Sequence, residues 1–121
     1  MKTIYSTTIE DIGIKTDEFI KEDMFITFKG NVPQDLRDYC FIHNENNLIE
    51  EIKAEDILYI DKIAYEIKAV GEFVNMNLDE LGHITYNFLG EADAKVGGTL
   101  YLEKKEIAPI VIGTTLKIMR K

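Results

Sequence analysis

The feature that most constrains this chain is the regular recurrence of short β-branched and aromatic runs broken by turn residues. Residues 2–14 carry Ile4, Thr7, Thr8, Ile9, Ile12 and Ile14, with Gly13 near a bend. Further runs follow at 24–28, 40–43, 48–52, 57–60, 63–74, 83–89, 99–102 and 115–119. Between them lie Lys29-Gly30-Asn31, residues 44–47, Asp61-Lys62, the Gly97-Gly98 loop, and the Pro109 to Gly113 segment. Strand-sized runs at a spacing of roughly 8–12 residues with turns between them predict an all-β sandwich or barrel. Alternation sets the faces: Tyr65, Ile67, Ala69 and Phe73 fall on one side of their run. Ile84, Tyr86 and Phe88 oppose His83, Thr85 and Asn87 in another.

Helical signals are few. Val32 precedes a proline and is biased to extended backbone, and Pro33 suits a first helical position. Residues 33–39 therefore predict at most two helical turns before the strand that ends at His43. Residues 17–22 read as a loop or one helical turn, and 78–81 as another turn. The 121 residues suit one domain spanning 1–121, with no internal repeat or linker.

Charge and cysteine usage narrow the function classes. The net charge is −8, from 22 acidic and 14 basic residues, which disfavours a nucleic-acid partner. No run of about 18 apolar residues offers a membrane helix, and the N-terminus lacks the apolar stretch of a signal peptide. The single cysteine fits a reducing compartment. The expectation is a cytoplasmic protein without direct membrane insertion.

Two histidines are present, His43 and His83. Histidine is the side chain whose ordinary pKa lies near neutrality, so a neutral imidazole is available as a nucleophile. His43 ends an apolar strand beside the 44–47 turn, which predicts an accessible strand-edge position; on local sequence alone, the commoner role of a lone histidine is a structural one, here ending a half-buried strand. Cys40 is half of a zinc-like Cys-x-x-His pair, but a structural site needs four ligands, and residues three apart on a strand face opposite ways. A buried structural cysteine is expected, with no metal. Asp35 and Asp38 read as a solvated face, and Arg37 as a surface residue. No Gly-rich phosphate loop is present, so no nucleotide or other cofactor is expected.

The run from Phe28 through Pro33, Asp35, Leu36 and Tyr39-Cys40-Phe41-Ile42-His43 resembles the glucitol/sorbitol-specific IIA component of the bacterial phosphoenolpyruvate-dependent sugar phosphotransferase system. Leu81-Gly82-His83-Ile84-Thr85 is similar to a second block of that family; Ile4 to Ile9 and Gly98-Thr99-Leu100 match more weakly. The resemblance implies a small closed or nearly closed β-barrel with one short helical segment before the active-site strand. It implies that His43 is phosphorylated by the carrier HPr, on the ring nitrogen farther from the backbone, and hands the group to a cysteine of the cognate IIB component of the IIB/IIC membrane complex. His83 is then a candidate accessory donor to the phosphate, its other nitrogen held by Thr85 or a backbone group. The docking surface is expected around Phe41 and Ile42, with acidic residues steering a basic partner. A non-catalytic β-barrel interaction module is the alternative.

Overall fold

The computed structural model describes all 121 residues. In chain order the elements are β1 (Lys2–Ile12), α1 (Asp17–Ile20), β2 (Met24–Lys29), α2 (Gln34–Arg37), β3 (Cys40–His43) and β4 (Asn47–Leu48). They continue with β5 (Ile57–Ile60), β6 (Ile63–Val70), α3 (Val74–Leu81), β7 (Thr85–Asn87), β8 (Thr99–Leu102) and β9 (Thr115–Arg120).

The strands close on themselves. The hydrogen-bonded order runs β3-β2-β7-β8-β6-β5-β9-β1, and β1 pairs back onto β3, while β4 only flanks β1. The all-β expectation holds, and the ring leaves its main strands without a free edge. Most pairs are antiparallel; β2–β3 and β7–β8 are parallel. A parallel pair cannot be joined by a two-residue turn, and α2 lies in the crossover that brings β3 back beside β2.

Alternating side chains fill the interior. Tyr5, Phe25, Leu58, Tyr65, Ile67, Tyr86, Leu100, Leu116 and Ile118 are fully or almost fully buried in one cluster. Phe25 stacks on Tyr86 with ring centroids 4.5 Å apart. A register shift between Thr3 and Tyr5 lets two successive residues of β1, Ile4 and Tyr5, both turn inward.

The structure departs from the strand pattern at three places. The run at 63–74 stops at Val70, and the chain becomes the eight-residue helix α3 rather than a single turn. The period changes there from two to about 3.6. Val74 and Leu78 are the buried pair, one helical turn apart, and Phe73 is 47% exposed instead of joining Tyr65, Ile67 and Ala69. The run at 48–52 contributes only the short β4, since Ile52 packs into the core while its N–H bonds the Asn75 side chain. Pro33 stands just outside α2 with extended backbone, at φ −53° and ψ 141°.

Candidate functional site

His43 closes β3. Its strand pairs on both sides, with Ile9 of β1 opposite in one direction and Lys29 of β2 in the other. It therefore does not lie on a free edge, and the expected accessibility fails: His43 is 0% exposed. Phe41 and His43 face one way along β3. Cys40 and Ile42 face the other, into a small cluster with Val32. Cys40 is thus separated from His43 by the pleat, and burial raises its thiol pKa to about 11. Phe41 and Ile42 are each only 3% exposed, so neither forms the rim of a docking surface.

Both imidazole nitrogens of His43 are engaged. Nδ1 lies 2.8 Å from Thr7 Oγ1, and Nε2 lies 2.7 Å from the Gly82 carbonyl oxygen. A carbonyl accepts only, so Nε2 carries a proton; in the neutral ring Nδ1 is then the acceptor and the Thr7 hydroxyl donates to it. The ring is held neutral at physiological pH. Burial lowers its pKa below the ordinary 6.5, the Gly82 carbonyl opposes that shift, and nearby Lys29 and Glu10 act in opposite senses.

Gly82 reaches this place because it ends α3. Its φ of 59° is the left-handed conformation that terminates helices, and it turns the chain toward β7. A β-carbon there would stand 2.6 Å from the Lys29 β-carbon and 2.8 Å from both Cε1 and Nε2 of His43. The glycine is required by the close approach as well as by its backbone. Its carbonyl also accepts from Thr27 Oγ1 at 3.0 Å.

Asn46 ties the other side. Its side-chain amide donates to the Leu78 carbonyl at 2.7 Å, its Oδ1 accepts from the Tyr5 hydroxyl at 2.9 Å, and its backbone N–H donates to Thr7 Oγ1 at 3.1 Å. The C-terminal turn of α3, the 44–47 turn and β1 therefore meet around one imidazole. Asn46 carries no motif signal of its own, while Thr7 and Gly82 lie within the family-like runs at 4–9 and 81–85 without being marked there as site residues. Thr7 could have been found: it is the polar member of the inward series Tyr5, Thr7, Ile9, and a buried polar group needs a partner.

His83 follows Gly82 directly but stands outside β7. Its Nδ1 lies 3.0 Å from the Thr27 carbonyl, rather than being held by Thr85, and its ring stacks on Phe28 with centroids 4.3 Å apart. Bonded to a carbonyl, Nδ1 must be the protonated nitrogen of a neutral ring, which leaves Nε2 with a lone pair. The structure joins both histidines to one piece of backbone, the Gly82-His83 step, and to Thr27 beneath it. Asp35 is exposed, Asp38 accepts from Gln34, and Arg37 pairs with Asp11.

The chain as a whole has known relatives. A family model described as PTS system glucitol/sorbitol-specific IIA component matches residues 4–117. The chain belongs to that family. Curated relatives named PTS system glucitol/sorbitol-specific EIIA component, from Shigella flexneri and Escherichia coli (strain K12), are 35% identical over 117 residues. Those alignments cover 97% of this chain and 95% of each relative. A solved structure, a PTS system IIA component from Enterococcus faecalis V583, superposes with a TM-score of 0.81 at 26% identity, covering 95% of this chain and 99% of that one. Membership in the glucitol/sorbitol IIA family implies a part in phosphoryl transfer for sugar uptake, and the histidine blocks at 39–43 and 81–85 both lie within the matched region. No helix is long and apolar enough to cross a membrane.

Proposed function

We propose that this IIA component is a phosphocarrier in which His43 accepts a phosphoryl group from phospho-HPr and passes it to a cysteine of the cognate IIB component. The observation that carries the reading is the state of His43: a neutral imidazole fixed at both nitrogens at the meeting point of three chain segments. The incoming group moves from one imidazole nitrogen to another, so the exchange is nearly isoenergetic, and alignment supplies most of the catalysis. The transition state spreads charge over three phosphoryl oxygens. His83, one residue beyond Gly82, is the proposed accessory donor. Because its Nδ1–H is committed to Thr27, it donates to phosphate through Nε2 only as the imidazolium.

The complete burial of His43 has a direct consequence: transfer requires the covering turn to move when the partner docks. The same burial is what favours the rival reading, in which His43 is a structural histidine of a non-catalytic interaction module. Incubation with phosphoenolpyruvate, enzyme I and HPr, followed by intact mass measurement, separates the two. One acid-labile phosphate that is lost in His43→Ala supports the carrier. No uptake with an active cognate HPr supports the module.

A further inference from the structure

The two seals on His43 differ in kind. On the Nδ1 side stands Thr7, 0% exposed, in a strand paired to β9 on one edge and to β3 and β4 on the other. On the Nε2 side stands a single backbone carbonyl, in the turn between α3 and β7, next to Leu81 at 44% exposure. Moving the first seal breaks the barrel wall; moving the second displaces one turn. Nε2 is therefore the nitrogen a partner can reach. Yet Nε2 is the nitrogen that bears the proton in the closed state, and a protonated nitrogen has no lone pair with which to attack.

We propose that Thr7 is a positioning residue that reverses its hydrogen bond to His43: it donates to Nδ1 in the closed protein and accepts from Nδ1–H once the Gly82 turn moves aside, freeing Nε2 to attack. This rests on the carrier reading above. When the turn opens, admitted solvent takes the proton from Nε2 and returns one to Nδ1. The Thr7 oxygen then accepts both Nδ1–H and the Asn46 N–H, using its two lone pairs. Its own proton then points away from the imidazole. The Nε2 lone pair forms the new N–P bond as the donor's N–P bond breaks, and the donor ring keeps the proton on its other nitrogen. No proton is gained or lost overall: the donor ring passes from imidazolium to neutral imidazole, and His43, with Nδ1–H and Nε2–P, becomes an imidazolium whose charge is offset by the phosphoryl dianion.

Nitrogen-15 NMR of the imidazole, together with single-turnover transfer from phosphorylated HPr, tests this. The unphosphorylated wild type should be the Nε2–H tautomer. The phosphorylated protein should show phosphorus–nitrogen coupling at Nε2 and a proton on Nδ1. Thr7→Val, nearly isosteric, should lower the transfer rate at saturating donor by at least about tenfold, with little change in the half-saturating donor concentration. Thr7→Ser should restore most of the rate. Phosphate on Nδ1, an Nδ1–H tautomer in the free protein, or Thr7→Val transferring at the wild-type rate overturns the switch while leaving the carrier reading intact. Absence of any phosphate on wild-type His43 overturns the carrier reading, and the switch with it. The wild-type spectra decide the tautomers even if Thr7→Val does not fold.

Discussion

Gly82 and His43 are packed so that the glycine's carbonyl meets Nε2 at 2.7 Å and its α-carbon leaves no room for a side chain. A helix terminus is thereby fastened to the end of a strand 39 residues earlier. Gly82→Ala meets two penalties at once, a left-handed backbone and a β-carbon 2.8 Å from the imidazole. It should destabilise the protein by roughly 2–3 kcal/mol, read as a lowered urea midpoint. Its His43 resonances should also shift, since the turn must back away from the ring. An unchanged midpoint together with unchanged His43 resonances would show that the contact is looser than its geometry.

Much of the ring was legible in the sequence, because each strand buries one face and so shows period two. The hairpin at Asp61-Lys62 and the runs at 40–43, 57–60 and 99–102 coincide with observed strands or turns. What was not legible depends on tertiary placement. His43 sits at the end of its strand next to polar residues, a pattern that reads as exposed; its burial comes from α3, whose last turn folds over it. Asn46 has turn composition and turn backbone, with φ of 36°, and nothing local announces that its amide reaches the end of α3. The second family block drew attention to His83, whereas the residue of that block touching His43 is the adjacent Gly82.

Stability should depend on pH through His43. Burial holds its folded-state pKa below 6.5, so between the two values the unfolded chain binds the proton and the folded one does not. The stabilisation is complete above pH 6.5 and is lost as pH falls from there toward the folded-state value, with a slope of at most about 1.4 kcal/mol per pH unit. Asp56 titrates lower: burial raises its carboxyl, but the Arg120 bonds outweigh that and hold it below 3.8. Urea titrations of wild type and His43→Gln across this range should therefore differ in slope just below pH 6.5 and run parallel above it. Parallel curves throughout would mean that His43 is protonated in place.

Docking should centre on the turn rather than on β3. Leu81 is 44% exposed and Met76 51%, and both lie on the helix that ends over His43. Leu81→Asp should weaken productive docking of phospho-HPr by about tenfold, the size of a modest interface contact, with stability nearly unchanged. The measurement is the donor concentration that half-saturates transfer. Raising salt should slow transfer as well if acidic residues steer a basic partner. A salt-independent rate combined with a strong Leu81→Asp effect would assign docking to apolar contacts alone.

His83 offers the sharpest kinetic test of the site's second histidine. Its Nδ1–H is committed to the Thr27 carbonyl and its ring is fixed against Phe28, so little side-chain freedom remains to be lost when phosphate arrives. Only the doubly protonated ring can donate from Nε2, and such a charge-assisted bond is about twice as strong as a neutral one. Deleting it should slow transfer around one hundred-fold, as deleting one oxyanion donor does. The amount of phosphate held at equilibrium should persist, because the nucleophile remains. Rapid-quench kinetics of His83→Ala with phosphorylated HPr measure the first quantity, and intact mass the second. A transfer rate within a few-fold of wild type would leave His83 as the residue that anchors the Gly82 turn to β2 through Thr27, with no part in the chemistry.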